Sequence, residues 1–462
     1  MNRNLMNIVV FLILLVIFVT GFSNSYTSHN ISNLAYVLAI GIDKGEKAKL
    51  KISAQFSKSA IFSSGSGSSS EDASNIILVS GEADSIFSGL NLLNSYIGKE
   101  LNLAHCSVII FSEEFAKEGI STEIFSLINN EEVRPSTNLV ISKCSAYDYL
   151  NNSIPNLEKM TIKYYDTFSI TSRFTGYISN LTIGDFYNDM ASSSCDSTAI
   201  LGGLNSTARK ENSEKSNESS SGSSNSSSGE GSSGSSSSNS SSGSGGSSGE
   251  SETTNNSSQN MTEEKNVVTS SEDLTAGTSS VVGKRGTENI GIAVFDEDKL
   301  CGELTAVEAI CHLLITNKVD SFIISIDNPM VEDKKMDLQI YPVKDTKVTV
   351  DTKGDSPRIS ININVDADIM TLEDNIDYGS KENLEKFSKF SEDYLKSQLN
   401  DYLKKVSRDF GTDIDHFCVK ALQNFATIPE WKKYNWVEKF KNAEFDVNID
   451  VNVVSSMLIT RT

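Results

Sequence analysis

The densest group of chemically active side chains lies near the carboxyl end of the chain. Asp413, Asp415, His416 and Cys418 fall within six residues. Carboxylate, imidazole and thiolate groups are ligands of zinc and related metals, so this segment is a candidate metal site. A polar surface turn at the start of a helix gives the same pattern, because Asp is favoured there. We favour the turn over the metal site.

The four histidines form no catalytic set that is visible along the sequence. Cys311 and His312 are adjacent in an apolar stretch predicted to be helical, where neighbouring side chains point about 100° apart. We therefore predict that His312 is a hydrogen-bonded residue of the core or its boundary. His29 and His105 have no nucleophile close to them in sequence. A triad or a metal centre would need histidines that converge from distant segments.

Two glycine-containing segments lack the features of the catalytic motifs that they partly match. Gly98-Lys99-Glu100 has neither the upstream glycine nor the Ser or Thr of a phosphate-binding loop. Gly65-Ser-Gly-Ser-Ser69 lies in low-complexity sequence, not between a strand and a helix where a nucleophile elbow belongs. We predict no catalytic residue, no metal site and no cofactor, and we expect a protein that is not an enzyme.

The six cysteines are scattered, and no two of them have the spacing of a zinc site. The closest pair, Cys301 and Cys311, is ten residues apart. A chain of this length needs no disulfide framework. We therefore predict that most of the cysteines are small buried hydrophobic side chains, and the full set is Cys106, Cys144, Cys195, Cys301, Cys311 and Cys418.

The composition separates a folded acidic body from one soluble connection. The 462 residues carry 40 Lys+Arg against 61 Asp+Glu, a net charge of −21. A nucleic-acid-binding protein needs a basic face, so the acidic balance argues against that class. Residues 211–260 contain 25 Ser, 8 Gly and 7 Asn, and no hydrophobic residue. We predict a flexible linker over 201–289, a region of 23–200 before it and a domain of 290–462 after it.

The amino terminus predicts a membrane segment. Leu5–Phe22 provides about 18 membrane-compatible residues, or roughly 27 Å of helix. An uncleaved anchor and a signal peptide fit residues 1–22 equally well, and Arg3 weakly favours a cytoplasmic terminus. Val19-Thr20-Gly21 is what precedes the acylated cysteine of a bacterial lipoprotein, but Phe22 stands at the cysteine position. The covalent lipid is therefore not expected.

Hydrophobic periodicity predicts strands alternating with helices in both folded regions. In the first region, we expect strands at 33–43, 49–56, 76–79, 108–111 and 139–142, and helices at 83–97 and 113–128. In the second, we expect strands at 290–295, 321–326, 336–341, 347–351, 359–365 and 445–453, a helix capped by Thr305 and Glu308, and a long helix at 381–410. The fold class is α+β, with several domains, mixed sheets and flanking helices.

These segments resemble the Ger(x)C (GerAC-like) family, the C subunits of bacterial spore germinant receptors. Each motif alone has low specificity, but their order and spacing together are specific. The resemblance is carried by Leu34–Gly45, Leu103–Lys117, Asn130–Arg134, Leu139–Lys143 with Ala146, Ile292–Thr305 with Glu308, Phe410–Asp413 and Trp431–Phe440. It covers nearly everything except the predicted anchor and linker.

The resemblance implies a non-enzymatic subunit on the outer face of the spore inner membrane. Such subunits assemble with two membrane-embedded partners and help to trigger germination when nutrients bind. Nutrient recognition is generally assigned to the partners, so direct nutrient binding by this chain is not expected. Two other hypotheses remain: a membrane-tethered solute-binding module, and an exported hydrolase that no motif supports.

Overall fold

The computed structural model describes residues 11–15, 33–57, 76–154, 161–192, 194–206, 208, 273–371 and 377–454. Residues 11–15 are helical, but most of the predicted anchor, the Phe22 position, His29 and Gly65 lie outside this part of the chain. No helix within the described residues is long and apolar enough to cross a membrane.

Nine strands form the larger sheet, in the order β3-β2-β1-β5-β6-β7-β8-β9, with β4 beside the start of β1. The strands β1, β5, β6 and β7 run parallel, and antiparallel strands flank them on both sides. The bounds are β1 Leu34–Lys44, β2 Leu50–Ser57, β3 Ile76–Ala83, β4 Glu100–Asn102, β5 Val108–Ser112, β6 Asn138–Ser142, β7 Thr198–Leu204, β8 Thr287–Asp296 and β9 Lys299–Leu304.

Helices connect the parallel strands of this sheet, as parallel strands require. They are α1 Ile86–Ile97, α2 Glu113–Glu118, α3 Ser121–Ile128, α4 Ala146–Asn152, α5 Thr161–Asp166, α6 Phe168–Thr175 and α7 Ile183–Ala191. The predicted helix 113–128 is interrupted at Gly119, whose φ of 115° lies outside the helical range. Two buried clusters contain alternate residues of the central strands, so both faces of the sheet are covered.

Five strands form the smaller sheet, in which β13 lies between β11 and β14 and also pairs with β12. They are β10 Phe322–Asp327, β11 Lys335–Pro342, β12 Lys347–Asp351, β13 Arg358–Ile369 and β14 Glu444–Val454. The associated helices are α8 Ala306–Ile315, α9 Lys381–Lys404, α10 Phe417–Leu422, α11 Ile428–Tyr434 and α12 Trp436–Phe440, and a π-helical turn, Lys405–Phe410, extends α9. The α+β fold class and the long 381–410 helix are confirmed.

The structure moves both predicted ends of the linker. Residues 201–204 belong to β7 and 287–289 to β8, and Gly202 pairs with Asn289. Between them, Ala276 is buried, and the Gly277 amide donates a hydrogen bond to the Glu288 carboxylate of β8 at 2.6 Å. These strand ends are glycine-rich or polar, so no apolar alternation marks them along the chain. Residues 209–272, the body of the predicted linker, lie outside the described part.

Because β8 and β9 complete the larger sheet, the two predicted folded regions share one sheet. The chain enters the smaller sheet only after α8. The predicted capping box at the start of α8 is confirmed: the Thr305 hydroxyl accepts from the Glu308 amide, and the Glu308 carboxylate accepts from the Thr305 amide at 2.8 Å. This cap positions α8 between the larger sheet and α9.

Candidate functional site

The Asp413–Cys418 segment lies in the interior, and the predicted surface turn is wrong. Asp413 and Asp415 are both buried. The Asp413 carboxylate accepts hydrogen bonds from the amides of Phe417 at 3.0 Å and Cys418 at 2.6 Å, which are the first residues of α10. It also accepts from Trp436 Nε1 at 2.9 Å. A helix does start here, as predicted, but its capping carboxylate is buried against α12.

Asp415 joins α8 to α9 through two buried aromatic side chains. Its carboxylate accepts from the Tyr402 hydroxyl at 2.9 Å and lies 2.9 Å from His312 Nδ1. His312 is therefore a core residue, as predicted. Burial lowers the pKa of His312, and the hydrogen bond to Asp415 opposes that shift only in part. Its Nε2 atom makes no hydrogen bond to the described residues.

The segment before β7 connects the larger sheet to the Asp413–Cys418 segment through hydrogen bonds. The amide of Asp413 donates to Asp196 Oδ2 at 2.8 Å, and the Asp196 amide donates back to the Asp413 carbonyl at 3.1 Å. Trp431 Nε1 donates to the Ser194 hydroxyl at 3.1 Å. We call Ser194–Asp196, His312, Tyr402, Asp413–Cys418, Trp431 and Trp436 the polar centre.

A disulfide between Cys195 and Cys418 crosses the polar centre, with a Cα–Cα distance of 6.1 Å. The prediction that the cysteines are mostly buried hydrophobic side chains is wrong for this pair. It holds for Cys106 and Cys311, which are buried free thiols, whereas Cys301 is exposed. The partners are 223 residues apart. Sequence spacing therefore carried no signal for the pairing.

Cys195, Asp413 and Cys418 place one potential metal-ligand atom each within 4.8 Å of one another. The two sulfur atoms are joined to each other, and metals bind thiolates rather than disulfide sulfurs. The Asp413 oxygens accept from three donors. Burial raises the pKa of Asp413, which makes the amide and indole donors the more important for its charge. The chemistry of this donor set fits a structural cross-link.

His416 and Asp189 extend the polar centre to α7. His416 Nε2 lies 3.3 Å from Asp189 Oδ1, although the contact does not have hydrogen-bond geometry. Asp189 raises the pKa of His416 against the opposing effect of burial. The neighbouring Lys318 is mostly buried, which lowers its pKa. The arrangement stabilises contacts between α7 and the second half of the chain.

The other predicted candidates lie elsewhere and have local roles. Gly98 adopts φ 69° and ends α1, so it cannot begin a helix as the last glycine of a phosphate loop does. His105 packs edge-on against Tyr36, with ring centroids 5.0 Å apart. Neither residue belongs to the polar centre.

Asp43 is a buried carboxylate that the sequence reasoning did not single out. It accepts from the amides of Ala146 at 2.6 Å and Tyr147 at 3.0 Å, at the start of α4. Two residues earlier, a Cβ at Gly41 would come within 3.0 Å of the Ala146 side chain. The available signal was an acid at the end of an apolar strand.

Several motifs that are distant in sequence meet beside the polar centre. A Cβ on Gly302 would collide with the ring of Phe410. Glu308 forms an ion pair with Lys405 at 2.7 Å, next to that ring. The Phe410–Asp413 segment then leads directly into the buried carboxylates. These residues position the β8–β9 hairpin against the end of α9.

Two family models match the chain, one on each side of the predicted linker. Residues 27–203 match the family described as "Spore germination protein N-terminal domain", and residues 290–457 match "Spore germination B3/ GerAC like, C-terminal". A solved structure titled "Crystal Structure of the GerBC protein" is similar, with 13% sequence identity and a TM-score of 0.48, over 90% of this chain and 97% of that one. No curated protein matches the chain.

Proposed function

Because the chain belongs to the GerAC-like family of spore germination proteins, we propose that it is the C subunit of a nutrient germinant receptor. The observation that carries this proposal is the presence of both family regions, in order, over 27–203 and 290–457. The resemblance in the sequence motifs pointed to the same family. Its role is to act in spore germination as part of a receptor complex.

In this proposal the chain is a non-enzymatic interaction subunit. The carboxylates of the polar centre are engaged by amides, an indole, a phenol and an imidazole of the same chain. Carboxylates bonded in this way stabilise the fold, whereas a catalytic carboxylate must be accessible to a substrate. Nutrient recognition then belongs to the partner subunits.

The subunit is attached to the spore inner membrane by residues 1–22, with its body on the outer side. The net charge of −21 suits an outward-facing body that does not depend on anionic headgroups for attachment. Two membrane-embedded receptor subunits are its partners.

Gene deletion tests the role in germination. In a strain without a redundant receptor, loss of the gene should abolish nutrient-triggered germination, while growth and sporulation stay normal and the wild-type gene restores the response. Unchanged germination would contradict the proposal.

Affinity purification from detergent-solubilised spore membranes tests the partners. The tagged chain should recover two polytopic proteins together. Calorimetric titration of the purified chain with amino acids and sugars separates this proposal from a solute-binding module, because saturable binding by the chain alone would favour the module.

A further inference from the structure

Helix α1 carries no charged residue, although 22% of the residues in the whole chain are charged. Its sequence is Ile-Phe-Ser-Gly-Leu-Asn-Leu-Leu-Asn-Ser-Tyr-Ile. Ser85 caps its start and Gly98 ends it, so the helix is complete. The nearest charged residues along the chain, Asp84 and Lys99, lie beyond its two ends. A neutral helix on the surface of an acidic body needs an explanation.

Large apolar side chains are exposed on both flanks of α1. Ile86, Leu90 and Leu93 are buried against the sheet. On the flanks, Phe87 is 43% exposed, Leu92 49% and Tyr96 78%. Ile77 is also exposed, on β3, the strand against which α1 packs. The side chains on the ridge between these flanks, Ser88, Asn91 and Ser95, are polar and uncharged.

The chain enters the described body beside this helix. Asn33 lines the same cleft of about 610 Å³ as Asn91, Asn94 and Ser95 of α1. The next residues, Leu34–Tyr36, pair with β4, which directly follows α1. Ten residues separate Phe22 from Asn33, so an extended connection reaches at most about 35 Å. With the attachment proposed at residues 1–22, Asn33 and the neighbouring half of α1 therefore lie within about that distance of the bilayer.

We infer that α1 lies on the headgroup region of the lipid bilayer, with Leu92 and Tyr96, which are one turn apart on the same flank, as its contacts. Tyrosine suits this position, because its ring is apolar and its hydroxyl stays hydrated. Asn and Ser side chains remain hydrogen-bonded among headgroups, and the absence of acidic groups avoids repulsion by anionic lipids. The inference rests on the membrane attachment in the proposed function.

The experiment uses the full chain reconstituted into phosphatidylcholine vesicles that contain a headgroup nitroxide lipid. Tyr96→Trp places a fluorophore on the inferred contact. Ile323→Trp is the matched control, because Ile323 is a similarly exposed hydrophobic residue on β10 of the other sheet. The native Trp431 and Trp436 are buried and give a constant background, which the wild-type chain measures.

We expect the nitroxide to quench the indole of Tyr96→Trp roughly twofold or more above that of Ile323→Trp, since interfacial aromatic rings lie among the headgroups. Flotation first shows that both variants are bound to the vesicles. Equal quenching of the two bound variants would then overturn the α1 contact alone. A chain that does not float with the vesicles would overturn both this contact and the proposed attachment. A protein partner or the segment 5–22 covering α1 would also give equal quenching, and so counts against the inference.

Discussion

The two sheets differ in how many of their faces are buried. In the larger sheet, every residue of β5, β6 and β7 is buried. Consecutive residues belong to hydrophobic clusters on opposite faces, as Ile109 and Ile110 show. In the smaller sheet, exposure alternates along β10, where Ile323 is 48% exposed and Ile324 only 2%. The larger sheet is therefore an interior layer and the smaller sheet an outer one.

Strand direction explains the difference. Parallel neighbours need helical crossovers, and these helices cover both faces, as in β1, β5, β6 and β7. Antiparallel neighbours need only turns, so α9 and its neighbours cover one face of the smaller sheet and the other remains open. The open face carries polar side chains such as Asp337, Asn362 and Asp366. Large changes are consequently tolerated there and not in the larger sheet.

The largest expected effects are losses of stability on truncating buried isoleucines, and two pairs of consecutive isoleucines compare the two sheets. Ile109→Ala and Ile110→Ala should each lower the free energy of unfolding by about 2–5 kcal/mol, because both faces of β5 are packed. Ile324→Ala should cost as much, whereas Ile323→Ala should stay within about 0.5 kcal/mol. Urea unfolding followed by far-UV circular dichroism measures all four variants.

Tryptophan fluorescence provides a separate signal for this comparison. Both tryptophans of the chain, Trp431 and Trp436, pack with the smaller sheet. The Ile324→Ala transition should therefore be the clearest by fluorescence. A small effect at either Ile109 or Ile110 would break the contrast between the two sheets.

The disulfide is the next test, because it connects the two parts of the comparison. Replacing both Cys195 and Cys418 with Ser should lower the free energy of unfolding by about 2–4 kcal/mol, since the bond closes a very long loop in the unfolded chain. Cys311→Ser, a buried thiol outside the bond, is the single-site control. Mass spectrometry after alkylation should count four free thiols, and six would contradict the cross-link.

A smaller effect is expected from the hydroxyl of Tyr402. Tyr402→Phe leaves the buried Asp415 without its phenol donor, so the free energy of unfolding should fall by about 1–3 kcal/mol. Tyr434→Phe is the matched control, because the Tyr434 hydroxyl has no hydrogen-bond partner among the described residues. That control should be close to neutral. Equal losses from both substitutions would show that the hydrogen bond is not the cause.

The smallest expected effect is a pH dependence due to His312. Its folded pKa is lowered, so protonation favours the unfolded state. The stabilising contribution is complete above the ordinary value of 6.5 and is lost as the pH falls towards the folded pKa. Burial raises the pKa of Asp413, which gives the opposite slope in an overlapping range. The difference between wild-type and His312→Asn unfolding curves, measured from pH 8 to 5, isolates the histidine; parallel curves would contradict the assignment.

The most predictable elements were those whose pattern comes from one buried face. β13 and β14 alternate apolar and polar residues, and the long helix α9 has an apolar stripe, so their positions followed from periodicity. The short helices α11 and α12 were not predicted, and for α10 only its start at the Asp413–Cys418 turn was. Their stability depends on tertiary contacts, such as the Asp413 cap and the packing of Trp431 on Trp436 with ring centroids 5.8 Å apart.

The sequence by itself determined the family, the α+β class, the order of the main strands and helices, and the absence of a motif for catalysis. These properties depend on local sequence or on order along the chain, so they can be inferred without the tertiary structure. Only the tertiary structure decided that Thr198–Leu204 and Thr287–Asp296 share a sheet, that Cys195 bonds to Cys418, and that Asp413 and Asp415 are buried. Each of these depends on a partner far away in sequence, and a residue's own type and near neighbours do not specify that partner.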